Sequence, residues 1–246
     1  MQISYLIFNT YKTCKSISAI FYTFAQNKIE LNMNIDKVLL IIIIANVAFS
    51  IKGFSDRLFF DNYKFQIGAI KRGEQIRMFS SAFLHVDYMH LLLNMYVLYI
   101  FAPIIIFKLG IVKFLILYVG SLIAGNAFTL FYHKNDLYYS AVGASGAVAG
   151  IIYAAILLNP DMRLMMFPLP IPIPGYIFGL GYLLYSIYGM KKQLGNVGHS
   201  AHLGGAIGGY ALMLIVYPTI FLTSTTTILL LGVPIVLLLS FGHKLK

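Results

Sequence analysis

The chain has 246 residues, of which 59% are hydrophobic and only 11% charged. Soluble domains carry about 25% charged residues, so the composition excludes a soluble enzyme or binding module and points to a polytopic membrane protein. The formal charge of +10 is scattered between apolar runs, which fits bilayer-edge lysines snorkelling to anionic headgroups and not a nucleic-acid surface.

Residues 1–31 are mildly apolar but interrupted by Lys12, Lys15 and Lys28, with no small-residue cleavage site. Residues 1–32 therefore read as an interfacial segment or a tail rather than a cleaved signal peptide. Cys14 is the one cysteine, so no intrachain disulfide is possible. The first strong apolar run is Val38–Ile51, between Lys37 and Lys52. The segment 53–87 follows and is densely charged, with Asp56, Arg57, Asp61, Lys64, Lys71, Arg72, Glu74, Arg77 and Asp87. Tyr88–Phe107 and Phe114–Tyr132 predict the second and third helices, delimited by Asp87, Lys108, Lys113 and His133. A fourth helix starts near Ser145 and stops near Asn159-Pro160. Pro168–Pro174 cannot be regular helix, and a fifth helix is predicted over Gly175–Met190. The uncharged stretch 195–242 is too long for one span. It divides at Pro218 and the Thr223–Thr227 polar cluster into a sixth helix, about His199–Leu222, and a seventh, about Thr226–Phe241.

Charge alone does not orient this bundle. Placing the N-terminus inside leaves seven Lys and Arg on that side and eleven opposite, against the positive-inside rule. Six of the eleven lie in or beside the 53–87 segment. A folded segment there makes its charges a poor orientation signal.

Helices two, four and six run in the same direction, because one span separates each pair. Polar residues sit near the start of all three: His90 and Asn94, then Ser145, then His202. They share one membrane face and a similar shallow depth. Polar groups inside a bilayer are costly and usually functional. Gly146/Gly150 on helix four and Gly204/Gly208 and Gly205/Gly209 on helix six are spaced for close backbone approach. Close approach lets a hydroxyl and an imidazole come within about 3 Å. The pairing predicts a serine nucleophile, Ser145, with a histidine base, His202.

His90 and Asn94 lie four apart on one helical face. With the Ser145 backbone N–H at a positive helix end, they can bind the oxyanion formed when a serine attacks a peptide carbonyl. Interhelical hydrogen bonding is the other use open to them. No Asp or Glu lies in any predicted span, so a Ser-His dyad is expected rather than a triad. There is no HExxH, His85 and His90 are five apart, and His199/His202 lack a partnering carboxylate or thiolate. No metal and no cofactor are expected. His199 reads as a loop or supporting group nearer the water.

The joint occurrence and order of three motifs resembles the rhomboid family of intramembrane serine proteases. They are Gly143-Ala144-Ser145-Gly146, Ala201-His202-Leu203-Gly204-Gly205, and the stretch from Gly73-Glu74-Gln75-Ile76-Arg77 through Phe83-Leu84-His85-Val86-Asp87-Tyr88-Met89-His90 to Asn94. The likeness covers most of residues 34–222. It implies an all-α membrane protein, a polytopic helical bundle with a rhomboid-like six-helix core over 33–222. A seventh helix and tail follow over 223–246. The resemblance makes Ser145 the nucleophile, His202 its general base, and His90 and Asn94 the oxyanion-binding side chains. Arg77 and His85 match structural residues of the first extracellular loop, which the 53–87 segment forms. It further implies a cytoplasmic N-terminus, a plasma (inner) membrane location, an outward-opening site, and transmembrane proteins as substrates.

The oligomeric state stays open. The family often has Trp before the loop arginine, where this chain has Ile76. The position four after the serine is commonly aromatic and packs on the catalytic imidazole; here it is Ala149, so His202 is expected to be held less firmly. Two other readings compete. A non-catalytic rhomboid-like protein that binds transmembrane helices typically lacks the serine or histidine, and both are present. A transporter calls for ionisable groups along a path across the membrane, whereas these cluster at one face.

Overall fold

The computed structural model describes residues 35–166, 169–194 and 197–241. The 1–32 tail with Cys14, and the terminal Lys244 and Lys246, lie outside the described residues.

Helix α1 (Lys37–Ser55) buries Leu39, Asn46, Ser50 and Gly53, which fall on one face. Ile41, Ile44 and Ile51 on its other faces are exposed, as lipid-facing side chains are. Asp56 separates α1 from α2 (Arg57–Tyr63). Its carboxylate accepts the Phe59 N–H at 3.0 Å and pairs with Lys52 at 2.9 Å. Those two partners hold the Asp56 carboxyl below the usual carboxylate range.

The remainder of the charged segment is folded into strand β1 (Phe65–Gln66), α3 (Ile67–Lys71), α4 (Arg77–Ser80) and a 3-10 turn, Ser81–Phe83. β1 pairs antiparallel with β2 (Ser140–Ala141), Phe65 opposite Ala141. Phe65, Ile67 and Ile70 form a small apolar core beneath it. Arg77 is buried and makes four contacts to three acceptor atoms. Nη1 donates to Asp61 O at 2.7 Å and Lys64 O at 3.0 Å. Nε and Nη2 meet Glu74 Oε2 at 2.8 and 2.7 Å. One side chain thus ties α2, the β1 approach and α4 together.

Asp87 caps α5 (Tyr88–Leu109), accepting the His90 N–H at 2.7 Å. Gly110, at φ +82°, turns the chain into α6 (Ile111–Tyr132). Helix α7 (Ser145–Leu158) stands at the centre, and every residue from Gly146 to Leu158 is buried. Its 14 residues rise only about 21 Å, against about 30 Å of hydrocarbon. An end of α7 is therefore recessed within the bundle.

The proline-rich stretch is a hairpin. β3 (Arg163–Met166) pairs with β4 (Leu169–Pro174), Leu164 opposite Ile173. Helices α8 (Gly175–Lys192) and α9 (His199–Val216) follow. The sixth predicted helix stops at Val216 rather than Leu222. Pro218 lacks the N–H that would continue the ladder, so the chain turns and resumes as α10 (Ile220–Thr223) before α11 (Thr225–Phe241). Lys37–Ser55, Tyr88–Leu109, Ile111–Tyr132 and His199–Val216 are each long and apolar enough to cross a membrane. This is an integral membrane protein built as an α-helical bundle.

Helix α9 wedges between α6 and α7, and glycine permits it. A methyl on Gly205 would overlap the Gly146 carbonyl, and one on Gly209 would overlap the Gly150 backbone. The neighbouring pair Gly204 and Gly208 meets Ala124 on α6 instead. The two registers thus serve two neighbours.

Candidate active site

Three helix starts converge on one cavity of about 1390 Å³, whose lining includes Ser145, His202, His90, Asn94, Ala149 and Tyr182. This is the geometry that parallel helices two, four and six require. Ser145 is the first residue of α7 and half-buried. The first N–H groups of a helix lack intrahelical acceptors, so donors and a positive dipole end lie beside its hydroxyl.

Gly143 brings the loop against helix α5. Its φ of +122° belongs to glycine, and a methyl there would come within 2.7 Å of His90 Cε1 and 3.8 Å of Ser145 Oγ. His90 and Ser145 thus flank the same backbone position. Asn94 is buried, and its Nδ2 donates to His90 O at 3.1 Å. No hydrogen bond joins Ser145 to His202 among the described residues; such bonds are often long before substrate binds.

His202 lies on the first turn of α9. Its Nδ1 is buried without a hydrogen-bond partner. Tyr182 of α8 stacks on the ring, with centroids 5.8 Å apart and planes inclined by 22°. Phe178, one turn earlier, stacks on Tyr182 at 6.1 Å and 19°. Ala149 therefore does not leave the imidazole without an aromatic neighbour. Sequence reading missed this neighbour, because it comes from α8 and not from the helix that carries Ser145.

His199 departs from expectation. It is buried, not near water, because Gly189 of α8 leaves room where any side chain would overlap its ring. Its Nε2 lies 3.1 Å from Leu194 O, which ties the loop between α8 and α9 to the helix it precedes.

His85 sits in the turn before α5, so its five-residue spacing from His90 still brings the rings to 4.9 Å. The Ser50 hydroxyl donates to Phe83 O at 3.0 Å. Its single proton is then spent, so it accepts from His85 Nδ1 at 2.9 Å. Burial, and secondarily His90, pushes the His85 imidazole down to about 3. A second network fixes the start of α9. Thr129 donates to Gly125 O at 2.9 Å and accepts from Ser200 at 3.0 Å. Ser200 in turn accepts from the Tyr139 hydroxyl at 3.5 Å. Sequence reading missed this network, since its members come from three separate segments.

A family model described as "Rhomboid domain" matches residues 72–219. The chain is 32% identical to "Rhomboid protein 1, mitochondrial" of Saccharomyces cerevisiae over 55% of its own length and 40% of the relative's. It is 28% identical to "RHOMBOID-like protein 12, mitochondrial" of Arabidopsis thaliana over 69% of its own length and 55% of the relative's. It is 30% identical to "Putative rhomboid protease YdcA" of Bacillus subtilis over 58% and 68% of the two chains. The matches thus span about half the length of the yeast and plant relatives.

Proposed function

Since the chain belongs to the rhomboid family, we propose that it is an intramembrane serine endopeptidase with Ser145 and His202 as its dyad. The observation that carries this reading is the opening of both residues, at two helix starts, into one cavity.

In this reading Ser145 Oγ attacks the carbonyl carbon of a peptide bond in or near a substrate's transmembrane segment. His202 takes the hydroxyl proton and returns it to the departing amine. A cavity water, deprotonated by the same imidazole, then cleaves the acyl-enzyme and restores Ser145. His90, Asn94 and the Ser145 backbone N–H stabilise the oxyanion. An intact substrate helix hides its carbonyls in i to i−4 bonds. Substrates with Gly, Pro or small polar residues near the cavity face are therefore preferred. The partners are transmembrane proteins and the bilayer itself. The expected cytoplasmic N-terminus and outward-facing site rest on family likeness. The expected plasma membrane draws no support from the yeast and plant relatives, whose names say mitochondrial.

The test is cleavage of a single-pass reporter by detergent-purified protein beside Ser145→Ala. Product that disappears in the variant supports the dyad. Absence of product from folded native protein moves the reading to a non-catalytic, helix-binding member. Equal product from both rejects Ser145 as the nucleophile.

A further inference from the structure

We propose that Tyr182 is the positioning residue of His202, taking on helix α8 the task for which helix α7 offers only Ala149. The proposal rests on the dyad reading above. Among the described residues, nothing accepts a hydrogen bond from His202 Nδ1, although that atom is buried. A Ser-His-Asp triad fixes its imidazole through a carboxylate at that nitrogen. Here the orientation must come from packing.

The packing is specific. Tyr182 lies face to face with the imidazole, offset, at 5.8 Å and 22°. Phe178 backs Tyr182 in the same near-parallel sense, so three rings form one stack that ends on His202. His199, one turn before it on α9, presents its ring at a steep angle to the imidazole, at 6.3 Å and 75°. The tyrosine face restricts the tilt of the imidazole.

The stack acts twice. In the ground state it selects one orientation of the imidazole, which is what proton abstraction from Ser145 needs. In the transition state the ring becomes an imidazolium, and among the described residues no carboxylate bonds to its Nδ1. The negative face of an aromatic ring within about 6 Å attracts such a cation. This second contribution exists only once the proton has moved, so it raises kcat and leaves KM alone.

The test compares Tyr182→Phe, Tyr182→Leu and Tyr182→Met, the last keeping bulk without a ring in case the leucine variant fails to fold. Removing the ring lowers kcat about 10- to 100-fold with KM within about twofold. The phenylalanine variant retains the native kcat within about threefold, because the face and not the hydroxyl does the holding. A second readout needs no catalysis: the ring resonances of labelled histidine in Ser145→Ala protein in micelles. The resonance that vanishes in His202→Gln shifts when Tyr182 becomes Leu or Met and stays in place when it becomes Phe. A native kcat in the folded Leu or Met variant, a loss confined to KM, or an unmoved His202 resonance overturns the proposal. A native protein that cleaves nothing sinks the protease reading, and the resonance still decides whether Tyr182 holds His202.

Discussion

Gly205→Ala adds one methyl where α9 meets α7, and the structure says what it would meet. The new carbon would overlap the carbonyl oxygen of Gly146 and lie 2.9 Å from its Cα. Both obstacles are backbone, so no rotamer change relieves them. The helices must part by roughly an ångström to restore van der Waals distance. Overpacking of this kind costs about 1–3 kcal/mol, and a rigid backbone obstacle belongs at the upper end. Alanine's better helix propensity returns about 1 kcal/mol. The net is a loss of about 2 kcal/mol, or a fall in Tm of about 4–8 °C for a chain of this size. Activity suffers more than stability. His202 rides on the same helix three residues before Gly205, and a displacement of about 1 Å can cost a hundredfold in rate. Gly181→Ala is the control, since a methyl there meets nothing within 4 Å and should be neutral or mildly stabilising. Thermal unfolding in detergent and reporter cleavage are measured on both. A Gly205→Ala protein that melts and cleaves like Gly181→Ala would refute the close-contact argument.

Acid sensitivity should trace in part to His85. Its folded pKa of about 3 lies below the ordinary 6.5, so the unfolded chain takes up the proton first. Its contribution is intact above pH 6.5 and is lost as pH falls toward 3; between pH 7.5 and 5.5 the loss is about 1.4 kcal/mol. His85→Gln should narrow the gap between melting temperatures at those two pH values, and an unchanged gap would reject the assignment. Arg77→Ala leaves Asp61 O and Lys64 O without their donor and should cost about 3 kcal/mol. Glu74→Gln, at a side chain 43% exposed, should cost less than about 1 kcal/mol; the reverse ranking in thermal melts would show that the ion pair, not the carbonyl contacts, holds the segment. Ser200→Ala breaks the Tyr139–Ser200–Thr129 chain and should lower stability by about 1 kcal/mol. A melting curve matching the native protein's would mean that this chain contributes nothing.

What could be read from sequence here was local, and what could not was relational. Tyr88, Tyr132, Ser145 and Gly175 bound helices where expected, because charges, caps and prolines act within a turn of the residue that carries them. The glycine pairs on α9 were legible for a related reason: a missing side chain has only one packing use in a membrane. Pro218 was visible as a break, yet the restart at Ile220 depends on packing against the chain that follows. The proline pattern over 168–174 excluded helix but said nothing of Arg163–Met166 as its pairing partner.

The neighbour of His202 was the most consequential gap. Reading four residues on from Ser145 finds Ala149, while the stacking ring comes from α8. In a soluble bundle the apolar stripe would have shown which face of α8 turns inward. In a membrane the lipid-facing side is apolar too, so aromatic residues at helical spacing do not declare which way they face. Tyr182 and Tyr185 show the ambiguity: both touch a histidine of α9, yet Tyr185 is 50% exposed. Small and polar residues escape it, since lipid gives them no reason to be there. That is why Ser145, His202 and the glycines could be placed from sequence and the ring that holds the imidazole could not.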